Sequence, residues 1–109
     1  MELTILAVPD CPNAPLLRGR LDEALAGLGR PVEGIREVLV TDGERAEELG
    51  MCGSPTLLID GVDPFADPFA GPGRPAGLSC RLFRDASGAL CGAPTVDQLR
   101  GALRAAEQQ

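Results

Sequence analysis

The 109-residue chain contains no histidine, no lysine, no tryptophan and no tyrosine. Without histidine, no imidazole can activate a serine or cysteine nucleophile or bind zinc. All ten cationic side chains are arginines, and the 16 acidic residues leave a net charge of −6. An acidic chain without a basic cluster is poorly suited to contact the phosphates of nucleic acid. We therefore expect neither histidine-based catalysis nor nucleic-acid binding.

Long apolar segments are also missing. No apolar run approaches the ~20 residues that a membrane-spanning helix needs, and no basic segment followed by an apolar one marks a signal peptide. The length suits one domain with a modest core, and 44% hydrophobic residues are typical of a globular protein. We therefore predict a single cytoplasmic domain over residues 1–109 that does not contact a membrane.

Four cysteines are present, and none forms a Cys-x-x-Cys pair. They are Cys11, Cys52, Cys80 and Cys91. This spacing disfavours a zinc ribbon or knuckle. A disulfide framework is typical of small secreted proteins. Because the N-terminal segment shows no signal-peptide pattern, we do not expect such a framework here. Each cysteine could instead be a small core residue, so chemistry has to be argued for each one separately.

Apolar spacing predicts seven main elements. They are strands at 3–8, 35–40, 56–59 and 78–83, a helix lined by Leu17 to Leu28, a short helix from a capping box at Thr41 and Glu44, and a C-terminal helix from a second capping box at Thr95 and Gln98. A short return segment at 89–91 follows a turn. Since a helix connects the first two strands, they should be parallel. This β-α-β-α-β-β-α order predicts an α/β fold with a mixed sheet.

Residues 62–78 form a segment rich in proline and glycine. Its prolines exclude a regular strand or helix, yet it holds two of the three phenylalanines, Phe65 and Phe69. Burying one phenylalanine stabilises a fold by about 1.5–3 kcal/mol, so both rings should pack against the body. The segment is then either a loop fixed by two rings or a lid or partner surface over a cysteine site.

The segment Gly53-Ser54-Pro55-Thr56, followed by an apolar strand, resembles the cis-proline strand of the thioredoxin-like proteins. The order of elements is also that of this fold, a three-layer sandwich with a mixed central sheet, here carrying the 62–78 insertion before its last sheet strand. In that family a reactive cysteine follows the first strand and faces the cis-proline. The matching residue is Cys11, while Ala14 stands where a second cysteine is usual.

The resemblance implies a thiol–disulfide oxidoreductase that uses Cys11 opposite Pro55 and needs no cofactor. Its substrate would be a protein or low-molecular-weight thiol or disulfide, held by the flanking residues Pro12, Ser54 and Thr56. A helix N-terminus would stabilise a Cys11 thiolate, whereas the carboxylate of Asp10 would oppose it. The register of the helix start decides between these effects, and the sequence leaves it open.

A single reactive thiol needs a partner for turnover. Cys52 lies three residues before Pro55, and Cys91 lies just before the last helix, so either could attack a mixed disulfide on Cys11. The alternatives are that Cys52 is a small loop residue and that Cys91 is a buried strand-end residue.

A second resemblance concerns Cys80. The segments Ser79–Phe83 and Ala93–Val96 resemble the C-terminal part of the alkylmercury lyases, in which a cysteine on this strand helps to cleave the carbon–mercury bond. This implies lyase-like activity or soft-metal binding at Cys80. If Leu82 lies opposite Cys91, Cys80 and Cys91 are diagonal neighbours and could share a soft ion. A third hypothesis is a non-catalytic thioredoxin-like module whose insertion binds a partner.

Overall fold

A computed structural model describes residues 2–27, 34–65, 77–85 and 87–107, without the side chains of Cys52, residues 77–80 and Glu107. The chain is an α/β protein with a mixed sheet. Its strands are β1 (Leu3–Ala7), β2 (Ile35–Leu39), β3 (Cys52–Ser54), β4 (Thr56–Ile59), β5 (Gly77–Cys80), β6 (Phe83–Arg84) and β7 (Leu90–Cys91), and its helices are α1 (Asn13–Ala26), α2 (Gly43–Leu49) and α3 (Val96–Glu107).

The central sheet has the strand order β2-β1-β4. β1 pairs with β2 in parallel and with β4 in antiparallel orientation, so that Leu3 lies between Ile35 and Ile59. The parallel pairing, expected because α1 connects the two strands, is confirmed. β1 is buried along almost its whole length because it is the middle strand and both of its faces are covered.

Helices cover both faces of this sheet. On one face α1 and α3 pack against β1 and β4, through the leucines and other apolar residues Leu3, Ile5, Leu17, Leu21, Leu57, Ile59, Leu99 and Leu103. On the other face α2 covers a smaller cluster, formed by Leu6, Val40, Ala46 and Met51. The apolar face predicted for α1 is therefore confirmed at Leu17, Leu21 and Ala24, whereas Leu28 lies outside the described residues.

The two predicted capping boxes have different outcomes. Thr95 and Gln98 form one at the start of α3, where the Thr95 hydroxyl accepts from the Gln98 N–H at 3.1 Å and the Gln98 amide oxygen accepts from the Thr95 N–H at 2.9 Å. The box at Thr41 is wrong by one residue. Asp42 is the N-cap of α2, and its carboxylate accepts from the Arg45 N–H at 2.8 Å. Aspartate caps at least as well as threonine, so the neighbouring Asp42 takes the position predicted for Thr41.

The predicted single strand over 78–83 is wrong. The chain forms β5, which pairs in parallel with β3, and then β6, which pairs with β7 in a hairpin. β5 therefore does not extend the central sheet beyond β4. The break falls at Arg81, whose N–H donates to the Ser54 carbonyl at 2.9 Å while its side chain turns into the protein.

Arg81 also fixes the start of the insertion. Its guanidinium pairs with the Asp63 carboxylate at 2.6 Å and donates to the Phe65 carbonyl at 3.0 Å. The Phe65 ring packs edge-on against Phe83, with 5.8 Å between centroids. Residues 66–76, including Phe69, lie outside the described residues, so the predicted role of the second ring is not addressed.

Within the described ranges, no helix combines the length and the apolar character needed to cross a membrane.

Candidate functional site

Cys11 lies in the turn that joins β1 to α1. Its N–H donates to the Val8 carbonyl, and its carbonyl accepts from the Ala14 N–H, both at 3.3 Å. The N-cap of α1 is Pro12, so Cys11 precedes the cap and lies outside the helix. The helix dipole acts mainly within the first turn, and Cys11 therefore gains less from it than a residue inside the helix would. The thiol residue is 8% exposed.

The segment from Ser54 to Thr56 lies beside the end of β1. The Ser54–Pro55 peptide bond is cis. Thr56 pairs with Leu6, and the Ser54 hydroxyl accepts a hydrogen bond from the Val8 N–H at 3.1 Å. This segment therefore borders the residues that lead into the Cys11 turn. All three residues are buried, and the Thr56 hydroxyl donates to the Gly53 carbonyl at 2.6 Å, so both hydroxyls are used within the protein.

Cys52 and Cys80 are described through their backbones alone. Cys52 pairs with Gly77, and Cys80 pairs with Ser54, in the β3–β5 ladder. This pairing puts the Cys80 backbone beside the Ser54–Pro55 step. The side chains of both cysteines lie outside the described residues. The role predicted for each cysteine therefore stays a prediction.

The predicted register of Cys91 is also wrong. Phe83, and not Leu82, lies opposite Cys91 in the β6–β7 hairpin. Cys80 belongs to β5 and thus to a different strand pair. The diagonal arrangement of Cys80 and Cys91 that would let them share a soft ion is therefore not formed. The cause is the break at Arg81, which separates β5 from β6.

Cys91 is half-buried and has a basic partner that the sequence analysis missed. The Arg20 guanidinium donates to the Cys91 Sγ at 3.5 Å and to the Ala93 carbonyl at 3.0 Å. A hydrogen bond from the Ala93 N–H, followed by the hydrogen bond and charge of Arg20, lowers the pKa of the Cys91 thiol. Arg20 lies next to the buried Leu21 on α1, but no local signal points to a partner 71 residues away.

The Cys91 loop reaches the start of α1. Gly92 lies so close to Asn13 that a Cβ atom added to it would be 2.4 Å from the Asn13 amide group. Asn13 is the first residue of α1 and follows Cys11 by two positions. The segments that carry Cys11 and Cys91 therefore meet at the first turn of α1. Both thiols are free.

A groove of about 540 Å³, which we call the thiol groove, opens beside Cys11 and runs between α1 and the edge strand β2. One face of α1 supplies Ala14, Pro15, Arg18, Gly19 and Asp22, and β2 supplies Glu37, Val38 and Leu39. The small residues at positions 14, 15 and 19 leave space between the helix and the strand. Volumes of about 300–1,000 Å³ are typical of sites for small ligands.

No group of three or more cysteine, aspartate or glutamate side chains is placed to hold a metal ion in the part of the chain that the structure describes. Cys80, the residue predicted to bind a soft metal, has no described side chain.

Comparison with known proteins gave no match: no family model fits the chain, and no curated protein or solved structure is detectably similar to it.

Proposed function

We propose that this protein is a thioredoxin-like thiol–disulfide oxidoreductase with Cys11 as its reactive thiol. The observation that carries the proposal is the position of Cys11, which lines the thiol groove and lies in the turn after β1. That turn follows Val8, whose N–H donates to the Ser54 hydroxyl beside the cis peptide bond. The sheet order β2-β1-β4 and the placing of α1 and α3 on one face and α2 on the other support the thioredoxin-like fold. The pairing of β5 with β3 is a departure from that fold.

The proposed reaction is thiol–disulfide exchange. The Cys11 thiolate attacks one sulfur of a substrate disulfide, the substrate S–S bond breaks, and a mixed disulfide with Cys11 forms. The released substrate thiolate takes a proton from water. A second thiolate then attacks the Cys11 sulfur and releases the other half of the substrate. The substrate gains two electrons in all, and two protein thiols become a disulfide.

Cys91 is the better described candidate for the second thiol. Its loop meets the first turn of α1 through Gly92 and Asn13, and its lowered pKa increases the thiolate fraction near neutral pH. The thiolate, and not the thiol, is the attacking species. Because the reaction needs free thiols, we place it in a reducing compartment such as the cytoplasm.

Mass spectrometry of trapped intermediates tests the proposal. The protein is incubated with hydroxyethyl disulfide, a neutral probe, then quenched with acid and mapped by peptide. We expect the adduct on Cys11 before any other cysteine, followed by a Cys11–Cys91 disulfide. Cys91→Ser should accumulate the Cys11 adduct, and Cys11→Ser should abolish early adduct formation. An unreactive Cys11, or equal adduct formation in Cys11→Ser, would refute the function.

The mercury-handling and non-catalytic hypotheses stay predictions. A soft-metal protein should bind Hg²⁺ at a defined stoichiometry and lose this binding in Cys80→Ser. A non-catalytic module should keep its partner binding in Cys11→Ser. The same two variants therefore separate all three hypotheses.

A further inference from the structure

Building on the proposed function, we propose that the thiol groove selects low-molecular-weight disulfides and thiols that carry a positive charge close to the sulfur. Aminothiols and their disulfides are the chemical class that fits. The charges that line the groove, the partners of its described guanidinium and its apolar floor support this selection.

The described lining of the thiol groove is acidic. Three carboxylates, those of Asp10, Asp22 and Glu37, stand against one guanidinium, that of Arg18, which gives a net charge of −2. The whole chain is also acidic, with a net charge of −6. A groove lined by charges of one sign concentrates ligands of the opposite sign. A cation is therefore favoured beside Cys11, and an anion is repelled.

The guanidinium of Arg18 is already paired with carboxylates and does not reverse this preference for cations. Its Nε lies 3.4 Å from the Asp22 carboxylate, and its Nη1 lies 3.2 Å from the Glu37 carboxylate. A substrate carboxylate would have to compete with both of these ion pairs. The positive charge that might anchor an anionic substrate, such as glutathione, is thus already compensated within the groove.

The floor of the groove suits a short alkyl chain. Leu39 is 67% exposed on the edge strand, and Val8, Ala14 and Pro15 add apolar surface close to Cys11. A Cβ atom added to Gly19 would meet no atom within 4 Å, which shows that the middle of the groove is open. A ligand with a few methylenes between sulfur and ammonium can therefore contact the floor and approach the carboxylates together.

The exchange step with such a ligand balances without another reagent. The Cys11 thiolate attacks one sulfur of cystamine, the S–S bond of cystamine breaks, and one cysteamine leaves as a thiolate that takes a proton from water. The other cysteamine remains bound to Cys11 by a disulfide bond. Its ammonium group stays in the acidic groove.

The test compares three disulfides of different charge on the full-length protein. Cystamine is cationic, hydroxyethyl disulfide is neutral and dithiodipropionate is anionic. The rate of adduct formation on Cys11 is measured by peptide mass spectrometry, and each rate is divided by that of blocked cysteine amide with the same disulfide. This division removes differences in the intrinsic reactivity of the probes. Because all three probes react with the same Cys11 thiolate, the ratio of two normalised rates does not depend on how far Cys11 is ionised.

We expect the normalised rate for cystamine to exceed that for dithiodipropionate by about tenfold at low salt, and this ratio to fall towards one near 1 M salt. Glu37→Gln and Asp22→Asn should each lower the ratio about two- to threefold. The matched control is Glu23→Gln, which removes one negative charge outside the groove, from the helix that carries Asp22. It should leave the ratio nearly unchanged.

The outcomes separate the two proposals. If Cys11 reacts with none of the three disulfides, the oxidoreductase function itself is wrong. If Cys11 reacts with all three at equal normalised rates, thiol exchange stands and the charge selection is wrong. If Glu23→Gln lowers the ratio as much as Glu37→Gln does, the preference comes from the overall charge and the groove is not its source.

Discussion

At the scale of single residues, Arg20 should control the ionisation of Cys91. We expect Arg20→Met to raise the pKa of the thiol, because it removes both a hydrogen bond and a nearby positive charge. The shift should be partial, since the larger cause, the hydrogen bond from the Ala93 N–H, stays in place. The pH dependence of Cys91 alkylation by iodoacetamide measures this. Arg18→Met is the matched control and should leave the Cys91 titration unchanged.

The same group makes stability depend on pH. The pKa of Cys91 is lowered in the folded state, so folding favours the thiolate. This stabilising contribution is complete above the unfolded thiol pKa of about 8.5 and is lost as the pH falls through the lower folded value. The free energy of unfolding of the wild type, relative to Cys91→Ser, should therefore rise as the pH is raised through the lower folded pKa and level off above the unfolded value of about 8.5. A constant difference in urea titrations would contradict the assignment.

Arg81 and Asp63 form a buried ion pair in which each charge is stabilised by the other. Their side chains are 3% and 9% exposed. Arg81→Met would leave the Asp63 carboxylate buried without its counter-charge, which should cost about 3–5 kcal/mol of unfolding free energy. Urea denaturation measures this loss. Arg84→Met is the control: it changes an exposed arginine and should cost little.

The double variant Arg81→Met with Asp63→Asn separates pairing from burial. It removes both charges and keeps an amide that can still accept from the Phe65 N–H, which now bonds to Asp63 at 2.9 Å. We expect it to be more stable than Arg81→Met alone. If both variants lose the same stability, the loss comes from the arginine's packing against Phe83 and the Phe65 carbonyl.

At the scale of elements, Asp85 should hold the β6–β7 hairpin. Its carboxylate accepts from the Ser87 hydroxyl at 2.6 Å and from the N–H groups of Ser87 and Ala89 at 2.9 Å each. These bonds, that of the Ser87 hydroxyl first, lower the pKa of Asp85. The contribution to stability is thus present above pH ~4 and is lost as the pH falls through the lower folded pKa.

Hydrogen exchange tests this turn directly. Asp85→Ala should speed exchange of the Asp85 N–H, which bonds to the Ala89 carbonyl at 2.9 Å, while exchange within the central sheet stays slow. Ser87→Ala removes one donor and should have a smaller effect. Equal exchange rates in Asp85→Ala and the wild type would show that strand pairing alone holds the hairpin. Because Cys91 lies in β7, opening of this hairpin should also change its alkylation rate.

At the scale of the whole molecule, local patterns predicted the three helices and the strands β1, β2 and β4 of the central sheet. The spacing of Leu17 and Leu21 and the crossover between β1 and β2 depend on neighbouring residues and on chain handedness, and both were confirmed. The strand break at Arg81 could not be read locally, because arginine is rarely buried without a partner and its partner Asp63 is 18 residues away. Contacts over such distances form only in the complete fold.

The candidate site shows the same limit. The turn that carries Cys11 was predicted from a local motif, whereas the register of α1, with Pro12 as its N-cap, was left open because Asn13 is also a good capping residue. Arg20 and the thiol groove were not predicted. Both arise where α1 packs beside a distant segment, and neither leaves a periodic pattern in the sequence.

Oxidation should change the stability of the whole molecule if Cys91 resolves Cys11. A disulfide between them would close a loop of about 80 residues and tie the β1–α1 turn to the segment before α3, so it should restrict the unfolded chain strongly. The chain-entropy relation gives up to about 4.5 kcal/mol for such a loop, and native strain would lower that value.

Diamide oxidation followed by urea unfolding measures this effect, with peptide mapping to verify the linkage. The oxidised wild type should unfold at a higher urea concentration than the reduced protein, and Cys91→Ser treated in the same way should not. If mapping finds the Cys11–Cys91 linkage but the midpoint falls, the folded protein has to distort to form the bond. Cys91 would then be a poor resolving thiol, and the mixed disulfide on Cys11 would have to be released by an external thiol instead.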